Sequence, residues 1–443
     1  MVEVKSIFTI QKLFLSFSIF GFALLMPFLS KHLSIAQIAT AYLVYFTTPL
    51  ILILFSKKIK TKNFMFIAII ISYLTLFIFF IKPTMTALII FYIMWGFLIY
   101  LFWVSYNIRY FTFSHSMNRA TSAGHFIIVG PILNTFLPLL SILAISLYGY
   151  KLIAAIGFII ISINLFKISK LPQLEIPYNF LDAFKKSKGM RSLKFLQGVW
   201  EAGSILIPLY TLFFIKEELK FGGFLAYLGL AGVIGTLIIT RISDKQNKRL
   251  KFFFPILIAL AVCTVLLTFS ENIIQWMIFT AMFGITSTLA YPFFFAVVLD
   301  KIEDKTISMI TREFMLNLGR AVGVSSVILL IWIDWPIKYL YIICGLSLLS
   351  YLYLLFIKRV YVDEAYHPLS PVVKVYDNSR NLVFKVYGWG KVIHLRELPK
   401  KTTTKIFDGA KWITFSIKHI GEVTFNKLIK GKTSSLFRRM KKP

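Results

Sequence analysis

The chain has 443 residues, of which 58% are apolar or aromatic and 15% charged, with a mean hydropathy of +0.76. A soluble domain of this size needs more polar surface than that composition supplies, and the same count excludes disorder over residues 1–358. The net charge is +30, from 49 lysines and arginines against 19 acids. Such an excess marks either a nucleic-acid partner or the inner face of a membrane, and the positions of the cations decide between them.

In chain order, apolar runs long enough to span a bilayer, roughly 20 residues each, fall at 13–30, 35–55, 64–81, 86–107, 124–146 and 149–166. A basic linker, 167–194, follows. A second set falls at 195–215, 222–239, 252–270, 273–299, 314–333 and 337–357. The expectation is an all-α polytopic membrane protein of twelve transmembrane helices. Its parts are a first half at 1–166, the linker, a second half at 195–358 and a basic tail at 359–443. The first run is too long for a signal-peptide core and has no small-residue cleavage site after it. With the amino terminus placed inside, inner loops carry 23 Lys and Arg and outer loops 6. That asymmetry predicts a multi-pass cell-membrane protein with both termini cytoplasmic, and no nucleic acid is needed to explain the charge.

The tail holds three β-prone segments, 372–376, 382–387 and 391–395, enough for a small meander. A basic amphipathic stretch, 405–430, suits anionic membrane lipid; a disordered basic tail or an RNA contact is the alternative. The two cysteines, Cys263 and Cys344, lie in apolar runs, so neither a disulfide framework nor a cysteine metal site is expected. The six histidines are scattered and form no His-Glu-x-x-His, no pair of deep aspartates is present, and Gly431-Lys432-Thr433 lacks the leading glycine of a phosphate loop, with Asn426 in its place. No enzyme activity, cofactor or metal is expected.

After the eighth run stands Thr240-Arg241-Ile242-Ser243-Asp244-Lys245-Gln246-Asn247-Lys248-Arg249. It resembles the cytoplasmic-loop signature of the major facilitator superfamily, with Arg241, Asp244, Lys245, Lys248 and Arg249 at the signature's charged positions. A carboxylate held among cations at a helix boundary can pair locally or face a helix amino terminus, and the resemblance implies that Asp244 helps close the cytoplasmic side. The first-half counterpart, 56–63, keeps the cations but has no aspartate. Gly130-Pro131 in the fifth run resembles the core of the superfamily's antiporter signature, and a Gly-Pro step bends a helix. The resemblance implies a small-molecule substrate moved by alternating access, in a monomer, with protons as a candidate coupling ion and efflux as a candidate direction. The alternative is a scaffold or sensor that kept the fold and lost transport.

Ionisable groups within the runs are few. No acid stands between Glu3 and Glu175. Glu201 in the seventh run and Arg320 in the eleventh are the deep charges, each about 9 Å in from the inner end. A lone charge at depth is costly, and the resemblance makes these two helices neighbours, so a Glu201–Arg320 ion pair facing the cavity is expected. It serves either as a substrate or proton site or as a lock between helices. Glu313, Asn317 and Arg320 form a polar stripe on one helix face, and Gly319 and Gly323 permit close helix packing. Asn134 is the deep polar candidate of the first half. Trp95, Trp103, Trp200 and Trp276 could line a cavity or mark interfaces.

Overall fold

The structure is a computed structural model that describes residues 2–81, 84–112, 119–246, 249–301 and 305–357. It is built almost entirely of helix. In chain order these are α1 (Val2–Phe22), α2 (Leu25–Ser30), α3 (Ile35–Phe55), α4 (Thr61–Thr75), α5 (Met85–Ile99), α6 (Ser105–Thr112), α7 (Arg119–Tyr148) and α8 (Tyr150–Ser169). Then come α9 (Phe180–Lys186), α10 (Met190–Thr211), α11 (Glu218–Gln246), α12 (Arg249–Leu266), α13 (Ile273–Lys301), α14 (Lys305–Trp332) and α15 (Leu340–Leu352). A π-helical segment, Tyr100–Val104, joins α5 to α6, so the fourth apolar run is one continuous rod. The tail's expected meander and amphipathic helix lie outside the described residues.

Local chemistry sets the helix ends. Ser34 opens α3 with a reciprocal capping box to Gln37, satisfying two otherwise orphaned amides. Thr84 caps α5, and the Asn179 side chain accepts from Leu181 and Asp182 at the start of α9. Between α7 and α8 the chain reverses through a single residue, Gly149, at φ +68°, a conformation that L side chains rarely adopt.

Among the described residues, eleven helical stretches are long and apolar enough to cross a membrane. The expected twelfth, α10, is not among them. It has 22 residues, but Arg191, Lys194, Gln197 and Glu201 stand in it and lower its hydropathy. Two expected boundaries also move. α10 begins at Met190 and α14 at Lys305, before their apolar runs, because polar residues facing protein need not end a helix. The 240–249 motif is not a plain loop either: α11 continues to Gln246, which puts Arg241, Asp244 and Lys245 on its last turns.

The loop 56–63 and the linker form an unexpected two-stranded antiparallel ribbon. β1 (Lys58–Lys60) pairs with β2 (Glu175–Pro177), Ile59 opposite Ile176. Glu175 faces Lys60 at 3.3 Å and Lys58 at 3.9 Å. Tyr178 donates to the Ile53 carbonyl, and Gln173 accepts from the first amides of α4. Downstream, Phe180 and Phe184 of α9 pack on Phe314 of α14. The end of the bundle carrying this ribbon is called the basic end below. At the opposite end, Glu218 of α11 takes an ion pair from Lys31 at 2.5 Å and a hydrogen bond from Tyr150 at 2.9 Å.

Two apolar cores hold the bundle. One joins α2, α3 and α5 to α10–α15 around Trp200, Trp276, Phe294 and Tyr351. The other joins α1, α4, α6 and α8 around Phe14, Phe102 and Tyr106, with Phe295, Met309 and Ile310 of the second half packed into it.

Candidate functional site

The site grows out of the contact between α10 and α14, and glycine makes that contact. A Cβ on Gly319 would lie 2.1 Å from the Phe195 carbonyl oxygen, and one on Gly198 would lie 2.3 Å from the Leu316 oxygen. A Cβ on Gly323 would meet the Cβ of Ala202 at 2.4 Å. Backbones this close bring side chains one turn away directly together.

Arg320 uses that proximity. Its Nε donates to Glu201 Oε2 at 2.9 Å, Nη2 donates to the same oxygen, and Nη1 donates to Asn317 Oδ1 at 3.2 Å. Asn317 Nδ2 in turn donates to the Glu313 carbonyl at 2.8 Å. On the other side of Glu201, Gln197 Nε2 donates to Oε1 at 2.8 Å. Gln197 Oε1 accepts from Lys194 Nζ at 2.7 Å, and Nζ also donates to the Phe294 carbonyl of α13 at 2.7 Å. The charges at the two ends fix which way the Gln197 amide points. The network runs Lys194, Gln197, Glu201, Arg320, Asn317, and each of these except Arg320 is at least nine-tenths buried. A buried carboxylate survives only with such partners. Arg312 and Glu313, one helical turn and more towards the basic end, form a second buried ion pair.

Both pairs border a cavity of about 520 Å³ lined by residues from both sequence halves: Gln11, Tyr45, Trp103 and Asn107 from the first, Tyr291 and Phe295 with the charged pairs from the second. A second space of about 290 Å³ lies towards the opposite end, walled by Phe22, Tyr42, Phe91, Tyr92 and Trp95. Tyr45 and Ile205 line both. Volumes of this size suit a small organic molecule.

The structure thus brings Glu201, Arg320 and Asn317 together. Counted from the true helix starts at about 1.5 Å per residue, Glu201 is roughly 16 Å and Arg320 roughly 22 Å along their helices. Asn134 does not join them; it lines the 290 Å³ space and another of about 310 Å³ between α7 and α11, where its backbone meets Gly229. Gly130 borders the main cavity, and Pro131 packs on Gly232; α7 runs through both without interruption. Of the gate motif, Lys248 and the side chains of Arg241, Asp244, Lys245 and Arg249 lie outside the described residues. Trp95 and Trp103 line cavities, whereas Trp200 and Trp276 are fully buried, so none of the four marks an interface.

Comparison with known proteins agrees with this architecture. The Major Facilitator Superfamily profile matches residues 9–324, well over half of the sequence. The chain belongs to the Major Facilitator Superfamily. It is a multi-pass membrane protein of a transporter family. Among solved structures, the human organic anion transporter MFSD10 (TETRAN) superposes with a TM-score of 0.62 over 80% of this chain and 99% of that one. At 13% identity, the likeness is one of fold. No curated protein matches the sequence. Within the superfamily fold, the residues that sequence reading missed are Lys194, Arg312 and Arg109, all first counted as loop cations. The signal was available for two of them: Lys194, Gln197 and Glu201 recur at helical spacing, and Arg312 adjoins the 313–320 stripe.

Proposed function

We propose that the protein is a secondary transporter that carries a small solute by alternating access, with Glu201 and Arg320 as the charge pair that responds to substrate or proton. The reading takes α10 as the twelfth span, with both termini and the basic end cytoplasmic in the cell membrane, one chain acting alone, and the basic tail on anionic lipid. The observation that carries it is the 520 Å³ cavity, bordered by a buried ion pair and shared by the two sequence halves. A pair that merely tied α10 to α14 would have no reason to face a cavity. Efflux coupled to protons is one form of the reading: the Glu201 carboxyl, once protonated, releases Arg320. The same cycle run inward is the other form, and the cavity chemistry is common to both.

The test needs no known substrate. With Cys263 and Cys344 replaced by alanine, a single cysteine is placed at Leu15, on the main cavity, or at Ala23, on the second space. Sealed vesicles are then labelled with a membrane-impermeant maleimide from each side. Alternating access predicts that each cysteine reacts from its own side only. Cross-linking the opposite end closed, through cysteines at Lys31 and Glu218, raises labelling at Leu15. If Ala23 never reacts under any condition, the protein holds one conformation and the scaffold alternative takes over. Glu201→Gln and Arg320→Gln are expected to shift the ratio of the two labelling rates at least about fivefold. An unchanged ratio in both removes the pair from the mechanism.

A further inference from the structure

Arg320 and Arg312 differ in one respect that bears on the ligand. On Arg320 the side-on edge of the guanidinium, Nε with Nη2, is filled by Glu201. On Arg312 that edge meets no acceptor among the described residues. The guanidinium donates from Nη1 to Glu313, and Nε is buried without a hydrogen-bond partner. The side chain is 7% exposed, and its plane lies over the Phe295 ring at 3.9 Å. Asn107, 2% exposed and on the same cavity, has its Oδ1 buried without a donor. A guanidinium cannot shed its charge to relieve burial. Leaving such atoms unpaired is costly, so a small turn of either side chain into the cavity lets a bound molecule restore the missing bond.

We propose that the main cavity binds an organic monoanion, a carboxylate on an aromatic body that also carries a hydroxyl or N–H, with Arg312 as the anion fork and Asn107 as the acceptor of the ligand's donor. The proposal rests on the transport reading only for what happens after binding. A planar carboxylate is the group that fills an Nε–Nη2 edge with two parallel bonds. Trp103, Tyr291 and Phe295 give the wall an aromatic character that suits a ring. The lining charges, Arg312 and Arg320 against Glu201 and Glu313, cancel. A bound carboxylate therefore shares the Arg312 guanidinium with Glu313, and a second negative charge would add repulsion from both glutamates, so a monoanion is favoured over a dianion.

The test is calorimetric titration of the full chain in lipid nanodiscs with four probes: 6-hydroxy-2-naphthoate, its methyl ester, 2-naphthoate, and 2-(aminomethyl)-6-hydroxynaphthalene. The hydroxy acid is expected to bind at least about tenfold tighter than the ester and the amine, the value of one charge-assisted hydrogen bond. Arg312→Gln combined with Glu313→Gln strands no carboxylate, and it is expected to cut that preference to less than about twofold. Asn107→Leu, which leaves the ion pairs intact, is expected to abolish the advantage of the hydroxy acid over 2-naphthoate. Equal binding of acid and ester, preference for the amine, binding of none of the four, or an acid preference that survives in the double variant would overturn the proposal. The Leu15 and Ala23 labelling uses no ligand, so loss of alternation with anion binding intact would sink transport alone. The reverse result would sink the ligand class alone.

Discussion

At the scale of single residues, the cations show most sharply how position changes meaning. Arg109, Lys194 and Arg312 sit where a charge count reads loop, and each is buried in the fold. Arg109 has no exposed surface. Its Nε donates to Thr61 Oγ1 at 2.9 Å and its Nη2 to the Pro172 carbonyl, which ties α6 to the start of α4 and to the linker. Hydrogen bonds from a charged donor contribute about 1.5–3 kcal/mol each. Arg109→Ala is therefore expected to cost about 3 kcal/mol or more and to lower the thermal unfolding midpoint in detergent by several degrees. Lys60→Ala, at an exposed ion pair, is expected to leave the midpoint where it is. An equal effect of the two would mean that Arg109 is no anchor. Lys194→Met keeps the stem and removes the ammonium, so Gln197 loses its donor and Glu201 its far support. The variant should fold while shifting the Leu15-to-Ala23 labelling ratio in the same direction as Glu201→Gln.

At the scale of elements, glycine decides which helices can meet. Gly198, Gly319 and Gly323 leave no room for a methyl group against the facing backbone of α10 or α14, whereas around Gly130 nothing lies within 4 Å of an added Cβ. Gly319→Ala must push the helices apart and stretch the Arg320–Glu201 contact; the expected cost is about 1–3 kcal/mol, the range of overpacked cores. Gly130→Ala is expected to be neutral or to stabilise by up to about 1 kcal/mol through helix propensity. Parallel melting curves check both, and a neutral Gly319→Ala would contradict the packing. The Gly319 and Gly323 spacing was legible in the sequence. Its partner Gly198 was not, because only the helix pairing says which small residue lies opposite. The β1–β2 ribbon was equally hidden. Strands of three residues, Lys-Ile-Lys and Glu-Ile-Pro, carry no periodic signal, and their pairing depends on the linker folding back across more than 100 residues.

At the scale of the whole molecule, the two sequence halves are joined at both ends. The apolar contacts of Phe295, Met309 and Ile310, with α9 on α14, join them near the basic end, and the Glu218 cluster joins them at the opposite one. For alternation, one junction must loosen as the other holds. Glu218 is the economical place to shift that balance, since one carboxylate serves both Lys31 and Tyr150. Glu218→Gln removes the ion pair and keeps a weaker acceptor. Because the pair is partly exposed, its effect is modest, and maleimide labelling of a cysteine at Ala23 should rise about threefold. Unchanged labelling would show that the cluster is not part of the opposite gate.

By itself, the sequence determined the class. Long apolar runs leave the backbone no option but helix in lipid, and the 240–249 motif with the twelve-run plan pointed to the superfamily. It also determined which two deep charges had to find partners, because Glu201 and Arg320 stand in runs with few other charges to serve them. Tertiary structure decided the rest of the site. Apolarity reports lipid contact, so helix that faces protein or a cavity can be polar and escapes the hydropathy reading. For that reason the first turn of α10 and the first turns of α14 were read as linker and loop, and Lys194 and Arg312 with them. Only the packing of α10 on α14, with α3 against α14 and α13 beside both, turned those charges from a count that orients a membrane protein into a buried network at the edge of a cavity.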